Sequence, residues 1–190
     1  VFGGRRATTM PLVFQAADWN HGVYVGATMG SEMTAAAFGA LGKVRRDPMA
    51  MLPFCGYHVG DYFAHWIKLG ELLKKPPQVF NVNWFRKTAE GKWMWPGFGD
   101  NMRVLEWIVD RCNGKATGID TKIGVSPSYD EFNTAGIDGF NKESFDAVMA
   151  LDKAEWQAEI AGQEEFFTSI GEALPTELVR QRELLVARMA

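Results

Sequence analysis

Two stretches hold residues whose types and spacing suit ligand chemistry. Asn83-Trp84-Phe85-Arg86 is followed by Trp93-Met94-Trp95-Pro96-Gly97-Phe98-Gly99-Asp100-Asn101. Five aromatics, Trp84, Phe85, Trp93, Trp95 and Phe98, fall within fifteen residues ahead of an expected helix start. Flat π-faces are what a purine base needs for stacking, a contact worth on the order of 1–3 kcal/mol. Stacking does not tell bases apart. An amide that both donates and accepts does, and Asn101 brings one to the end of the stretch. The same composition suits a plain core in which a strand and a helix are joined by an aromatic-filled loop, and both readings stand at this point. Gly97-x-Gly99 is a weak dinucleotide signal, because Met102 takes the place of the third glycine.

The second stretch is Gly3-Gly4-Arg5-Arg6, two basic residues leaving a strand through a flexible turn. Two guanidinium groups can hold a polyphosphate by charge-assisted bidentate bonds. A surface Arg pair with a carboxylate partner is the alternative. Elsewhere the chemistry is sparse. His58 and His65 stand seven apart without a frame of carboxylates, and structural roles are expected for them and for His21. The Gly-Lys pairs at 42–43, 91–92 and 114–115 are followed by Val, Trp and Ala, so no Walker-type phosphate loop lies in these residues. No metal site is expected from this chain.

The elements that must position these groups follow from apolar periodicity and turn residues. Leu12-Val13-Phe14, Gly22–Gly26 and Val79–Phe85 have strand character, bounded by Gly, Pro and Asn. Ser31–Lys43 is rich in small residues and suits a helical turn followed by a mobile loop. A helix is expected over Tyr57–Leu73, with Phe63, Trp66, Ile67 and Gly70 on one side, ended by Lys74-Lys75-Pro76-Pro77. Another begins at Asp100 or Asn101, carries Val104, Leu105, Ile108 and Cys112 at helical spacing, and stops at Gly114. The stretch up to about Phe140 reads as irregular. Beyond it, Trp156, Ile160, Phe167, Ile170 and Leu174 form one stripe, and Pro175 opens a last helix with Leu178, Leu185 and Met189 inward. The fold class is α/β: a mixed sheet segment with a helical C-terminal tail.

Composition bounds the possibilities. The chain has 190 residues, a net charge of −3, 47% hydrophobic residues and 23% charged ones, ordinary values for a chain that folds. The mild acidic balance gives no support for a nucleic-acid partner. The longest uncharged stretches, Trp19–Ser31 and Pro48–Gly60, have 13 residues, short of a membrane span. Cys55 and Cys112 sit in unrelated contexts, which favours a reducing, cytoplasmic setting over a disulfide framework. The chain opens at Val1 in what reads as the end of a strand, so an N-terminal part is expected to be missing.

Taken together the residues resemble GTP-dependent phosphoenolpyruvate carboxykinase. The strings that carry the resemblance run in order: Phe-Gly-Gly-Arg-Arg at 2–6, Pro11-Leu12-Val13, His21-Gly22-Val23, Ser31-Glu32 and Thr34-Ala35-Ala36-Ala37. Asp47-Pro48-Met49-Ala50-Met51, Pro53-Phe54-Cys55-Gly56-Tyr57, Gly60-Asp61-Tyr62-Phe63 and His65-Trp66 follow. Asn83-Trp84-Phe85-Arg86, Trp95-Pro96-Gly97-Phe98-Gly99, Asn101 and Arg103-Val104-Leu105-Glu106-Trp107 complete it, and the likeness fades after about Asp120.

The resemblance implies the C-terminal part of a nucleotide-binding lobe. Residues 1–120 would carry strands, lid and guanine pocket, and residues 121–190 an irregular segment and a helical tail. It implies conversion of oxaloacetate and GTP to phosphoenolpyruvate, GDP and carbon dioxide, with Mn2+ or Mg2+, in gluconeogenesis. Arg5 would contact the nucleotide phosphates as the catalytic residue of this chain. Trp84, Phe85, Trp93, Phe98, Gly99, Asp100 and Asn101 would form the guanine pocket. The segment Met33–Lys43, with Met33, Thr34, Ala35, Ala36, Ala37, Gly39 and Gly42, resembles a lid that closes over the substrates.

Three departures stand out. Trp93 replaces a Phe, Phe38-Gly39-Ala40-Leu41 replaces a more polar lid centre, and the family's phosphate loop, metal ligands and oxaloacetate-binding residues lie N-terminal to the Gly-Gly-Arg-Arg turn. The 190 residues alone are therefore expected to be inactive. The full-length enzyme is expected to be monomeric, and the isolated piece to be open to self-association through bare strand edges. The rival reading is a non-catalytic binding module that uses the aromatic loop 84–98.

Overall fold

A computed structural model describes residues 1–34 and 42–190. Seven short strands and six helices follow one another among the described residues: β1 (Phe2–Gly3), β2 (Val13–Gln15), α1 (Trp19–Ala27), β3 (Gly30–Glu32), β4 (Val44–Arg46), α2 (Val59–Leu72), β5 (Phe80–Val82), α3 (Asn101–Cys112), β6 (Ile119–Thr121), β7 (Gly124–Ser126), α4 (Lys142–Met149), α5 (Lys153–Ile170) and α6 (Thr176–Met189). Five strands form one mixed sheet in the order β1-β5-β2-β7-β6, with β1 parallel to β5 and the other pairs antiparallel. The remaining two strands, β3 and β4, pair as a separate antiparallel ribbon. No helix among the described residues is long and apolar enough to cross a membrane.

Side chains on successive strand residues point to opposite faces, so neighbours in sequence enter different cores. Phe14 and Val79 join one core with α1, α2, α5 and α6, built around Val23, Phe63, Trp156, Phe167 and Leu178. Val13 and Phe80 join the other, with Trp95, Val104, Trp107, Phe145 and Val148. Helices therefore cover both faces of the sheet. The α/β class and the mixed sheet agree with expectation, and so do the helices at 59–72, 101–112 and 176–189.

Four local expectations need correction. Gly22–Gly26 is not a strand but the middle of α1. Asp18 caps that helix by accepting from the His21 amide at 2.7 Å, and His21 Nδ1 accepts from the Ala17 amide at 3.0 Å. Every residue from His21 to Ala27 is buried, so no polar stripe betrays the helical period. Gly22 is there for space, since a Cβ on it would lie 2.6 Å from Val79 Cγ2. Ser31 and Glu32 belong to β3, not to a helical turn.

The third correction lies in the stretch before Phe140, which holds the hairpin β6–β7. Each of its strands has only three residues, too few for an alternating pattern to register. Lastly, Cys112 is exposed at the end of α3, and Trp107 takes the buried place beside Val104 and Ile108.

Candidate functional site

The Gly-Gly-Arg-Arg turn leaves β1 and splits its two arginines. The turn passes close against β3, because a Cβ on Gly4 would lie 2.3 Å from the Gly30 carbonyl oxygen. Backbone bonds tie it there: the Arg5 amide donates to Ser31 Oγ at 3.1 Å, and the Glu32 amide donates to the Arg5 carbonyl at 2.8 Å. Arg5 points outward, with its guanidinium carbon 4.7 Å from the Phe85 ring centre. Arg6 points inward and donates from Nη2 to Glu159 Oε2 at 2.7 Å. A phosphate clamp made of both arginines is thereby corrected: only Arg5 faces solvent.

Glu159, on α5, also accepts from Arg46 Nη1, and Arg46 donates to the Thr28 carbonyl at 2.9 Å. Burial pushes the Glu159 carboxyl up, but the facing Arg6 and Arg46 charges and their hydrogen bonds outweigh it, so its pKa lies below the ordinary value. One carboxylate thus joins the Arg turn to β4, the strand that follows residues 35–41. Sequence reasoning did not single out Glu159, because its spacing on α5 marks no motif.

Asn83 heads the aromatic stretch without an expected role of its own, and it is the residue that holds the two stretches together. It is 1% exposed and uses its whole amide. Its Nδ2 donates to the Arg6 and Met10 carbonyls, both at 2.9 Å, and its Oδ1 accepts from the Arg6 amide at 3.3 Å and the Phe85 amide at 3.1 Å. Arg86 fixes the next position by donating to the carbonyls of Val148 and Ala150. The sole available signal was an Asn directly between an expected strand and two aromatics.

These supports bring Arg5, Trp84 and Phe85 around one cleft of about 420 Å3. The Trp84 indole N–H, buried at its edge, has no partner among the described residues. Trp93 meets Phe85 edge-on at 6.0 Å between ring centres and carries Lys87 Nζ 4.2 Å above its own ring. Trp93 is 52% exposed and Phe98 95%, the latter at a left-handed φ of 49° that a non-glycine residue adopts only at a cost. Trp95 goes the other way: at 1% exposure it stacks edge-on with Phe132 and Phe140 in the core. So the aromatic stretch is both things at once, a core anchor at Trp95 with half-buried rings at Trp84 and Phe85, and open rings at Trp93 and Phe98.

The remaining expected pocket residues lie at the α3 entrance. Asn101 Oδ1 accepts from Trp95 Nε1 at 2.9 Å, so one acceptor position is already used and its N–H groups remain for a ligand. Asp100 makes no capping bond and instead pairs with Arg103 Nε at 2.9 Å. Gly99 sits between, where an added Cβ would meet nothing within 4 Å. Of the lid residues, Met33, Thr34 and Gly42 are described, with the Gly42 amide donating to the Met33 carbonyl at 3.0 Å. Ala35, Ala36, Ala37 and Gly39 lie outside the described residues.

The family described as phosphoenolpyruvate carboxykinase C-terminal P-loop domain matches residues 1–188. This chain belongs to that family. Curated relatives agree: it is 51% identical over 189 residues to the phosphoenolpyruvate carboxykinase [GTP] of Anaeromyxobacter dehalogenans, 48% over 191 to that of Paenarthrobacter aurescens, and 49% over 193 to that of Treponema pallidum. Each match takes in 100% of this chain but only 31–32% of the relative, so the chain spans about a third of the carboxykinases it matches. Although this carboxykinase domain is named for a P-loop, no G-x-x-x-x-G-K-[ST] occurs in the 190 residues.

Proposed function

We propose that this chain supplies the guanine pocket, one phosphate-contacting arginine and the lid of a GTP-dependent phosphoenolpyruvate carboxykinase. The reaction is conversion of oxaloacetate and GTP to phosphoenolpyruvate, GDP and carbon dioxide in the cytoplasm. The reading rests most on one observation, the cleft that gathers Arg5, Trp84 and Phe85. A guanidinium beside two aromatic faces offers charge for phosphate and stacking for a base.

Within that reading Trp84, Phe85, Trp93 and Phe98 stack on or enclose the base, and the Gly99–Asn101 backbone and the Asn101 amide select guanine. Arg5 leaves the face of Phe85 to neutralise phosphoryl oxygens, which lowers the cost of charge shifting during transfer. The segment 33–43 closes over the site and keeps water from a reactive intermediate.

The family's divalent metal is a separate matter. Among the described residues no three His, Cys, Asp or Glu side chains gather as a metal would require. His21 Nδ1 and His58 Nδ1 are both spent on backbone amides. The described residues do not fit Mn2+ or Mg2+. We expect the 190 residues alone to be inactive, with metal and phosphate-loop ligands supplied by the other part of a longer enzyme.

Titrating the enzyme with GDP, ADP and guanosine while following Trp fluorescence tests the pocket. A response to GDP well above that to ADP is expected. Equal responses would favour the rival reading, a binding surface at 84–98, for which the exposure of Trp93 and Phe98 is the supporting observation.

A further inference from the structure

Behind the Arg turn lies a small interior cavity of about 30 Å3, and its walls hold three side chains with unspent polar atoms. Arg6 is 5% exposed, Asn81 6% and Trp156 3%. Arg6 Nε and Nη1, Trp156 Nε1 and Asn81 Oδ1 have no hydrogen-bond partner among the described residues. Buried polar groups are nearly always paired, because each unpaired one forfeits its bonds to water. Four orphaned atoms on residues of one cavity wall point to a guest.

The charge around the cavity says what kind of guest. Of the described residues that line the cavity Arg6 alone carries a fixed charge, and no carboxylate stands on the wall. The other titratable wall groups do not cancel it. His21 stays neutral at ordinary pH, since burial foremost and then the Arg188 charge bring its pKa to about 4, against a smaller opposing pull from Asp18. Tyr24 keeps its proton, burial pushing its hydroxyl up, and its O–H donates to Gln163 Oε1. Three of the four orphaned atoms are donors, and the fourth belongs to an amide that becomes a donor when turned over about its last torsion. A water-sized guest takes roughly 10–15 Å3, so the space holds two or three waters or one ion larger than water, and is too small for the five heavy atoms of a phosphate.

We propose that this cavity is a binding site for a small monovalent anion of the halide class, held by Arg6 and Trp156 with the Asn81 amide turned to donate. The ion is structural. It occupies the unspent side of the Arg6 guanidinium and fixes the buried half of the turn whose exposed half is Arg5. The site is independent of any nucleotide reading of the cleft.

The deciding experiment uses crystals of the enzyme that carries this chain, grown without halide and soaked in bromide. Diffraction at the bromine edge is expected to show an anomalous peak between Arg6 and Trp156, absent in Trp156→Phe, which keeps a ring but loses the donor. Bromide found only on the surface, with the cavity holding water, overturns the proposal. In solution, replacing gluconate by chloride at constant ionic strength is expected to raise the melting temperature saturably, and less so in Trp156→Phe. An equal rise in both proteins counts against the site even where the variant does not crystallise.

Discussion

Asn83 Nδ2 donates to the carbonyl of Arg6 at 2.9 Å across 77 residues of chain, and this bond sets the Arg turn beside the aromatic stretch. The same amide oxygen accepts from the amides of Arg6 and Phe85, so Arg5 and Phe85 are placed by one side chain. Asn83→Ala leaves two carbonyls and two amides without their partner. At about 1 kcal/mol for a hydrogen bond and more for a buried group left unpaired, a loss of roughly 2–4 kcal/mol is expected. Urea unfolding measures it, and GDP affinity in the enzyme is expected to fall with it. Wild-type values for both would remove Asn83 from its positioning role.

Glu159→Gln is expected to be costlier than any surface charge change. It keeps the shape but strands two buried guanidinium groups, at roughly 3–5 kcal/mol. The double variant Glu159→Gln with Arg46→Met, which removes one of those charges, should recover part of the loss. If the two single losses simply add, the carboxylate does not bridge the pair.

Acid sensitivity follows from His21. Its pKa is lowered from 6.5 to about 4 in the fold, chiefly by burial, so the folded state binds its proton less readily than the unfolded chain. Stability from this group is fully present above pH 6.5 and is lost as pH falls toward 4, amounting to roughly 3 kcal/mol at most. Glu159, whose pKa is also lowered, adds a loss below its ordinary 4.5. Melting curves between pH 7 and pH 4 check this: His21→Gln is expected to flatten the upper part of the slope, and an unchanged slope would clear His21.

Arg5→Gln separates phosphate from base recognition. Affinity for GDP is expected to drop by roughly tenfold or more, from loss of a charge-assisted bond, while guanosine binding stays near wild type. Equal losses for both ligands would mean that Arg5 matters only through its packing on Phe85.

Trp93 and Trp95, two residues apart, should fail differently. Trp93→Ala removes an exposed face and is expected to weaken guanine nucleotide binding by about 1–3 kcal/mol with little change in stability. Trp95→Ala empties a core position and is expected to cost roughly 3–5 kcal/mol of folding free energy. Calorimetry of GDP binding and of thermal unfolding distinguishes them, and a Trp93 variant that binds GDP normally would refute the stacking role.

The sequence by itself determined the strong periodicities and the family. The amphipathic spacing of α3 and α6 is a local pattern, legible because one face of each helix differs chemically from the other, and β2 is legible as an apolar run because both of its faces are buried. The Gly-Gly-Arg-Arg turn and the aromatic stretch were legible as candidate ligand groups for the same reason: their chemistry is in the residue types. What failed were elements without contrast, such as α1, buried from His21 to Ala27, and the three-residue strands of β6 and β7.

Only the tertiary structure decided which member of each run faces the cleft. Arg5 turns out and Arg6 turns in because Glu159, 153 residues away from Arg6, supplies the buried counter-charge. Trp95 becomes core while Trp93 stays open because Phe132 and Phe140 close over one ring and not the other. Such choices depend on partners far along the chain, and local spacing holds no record of them.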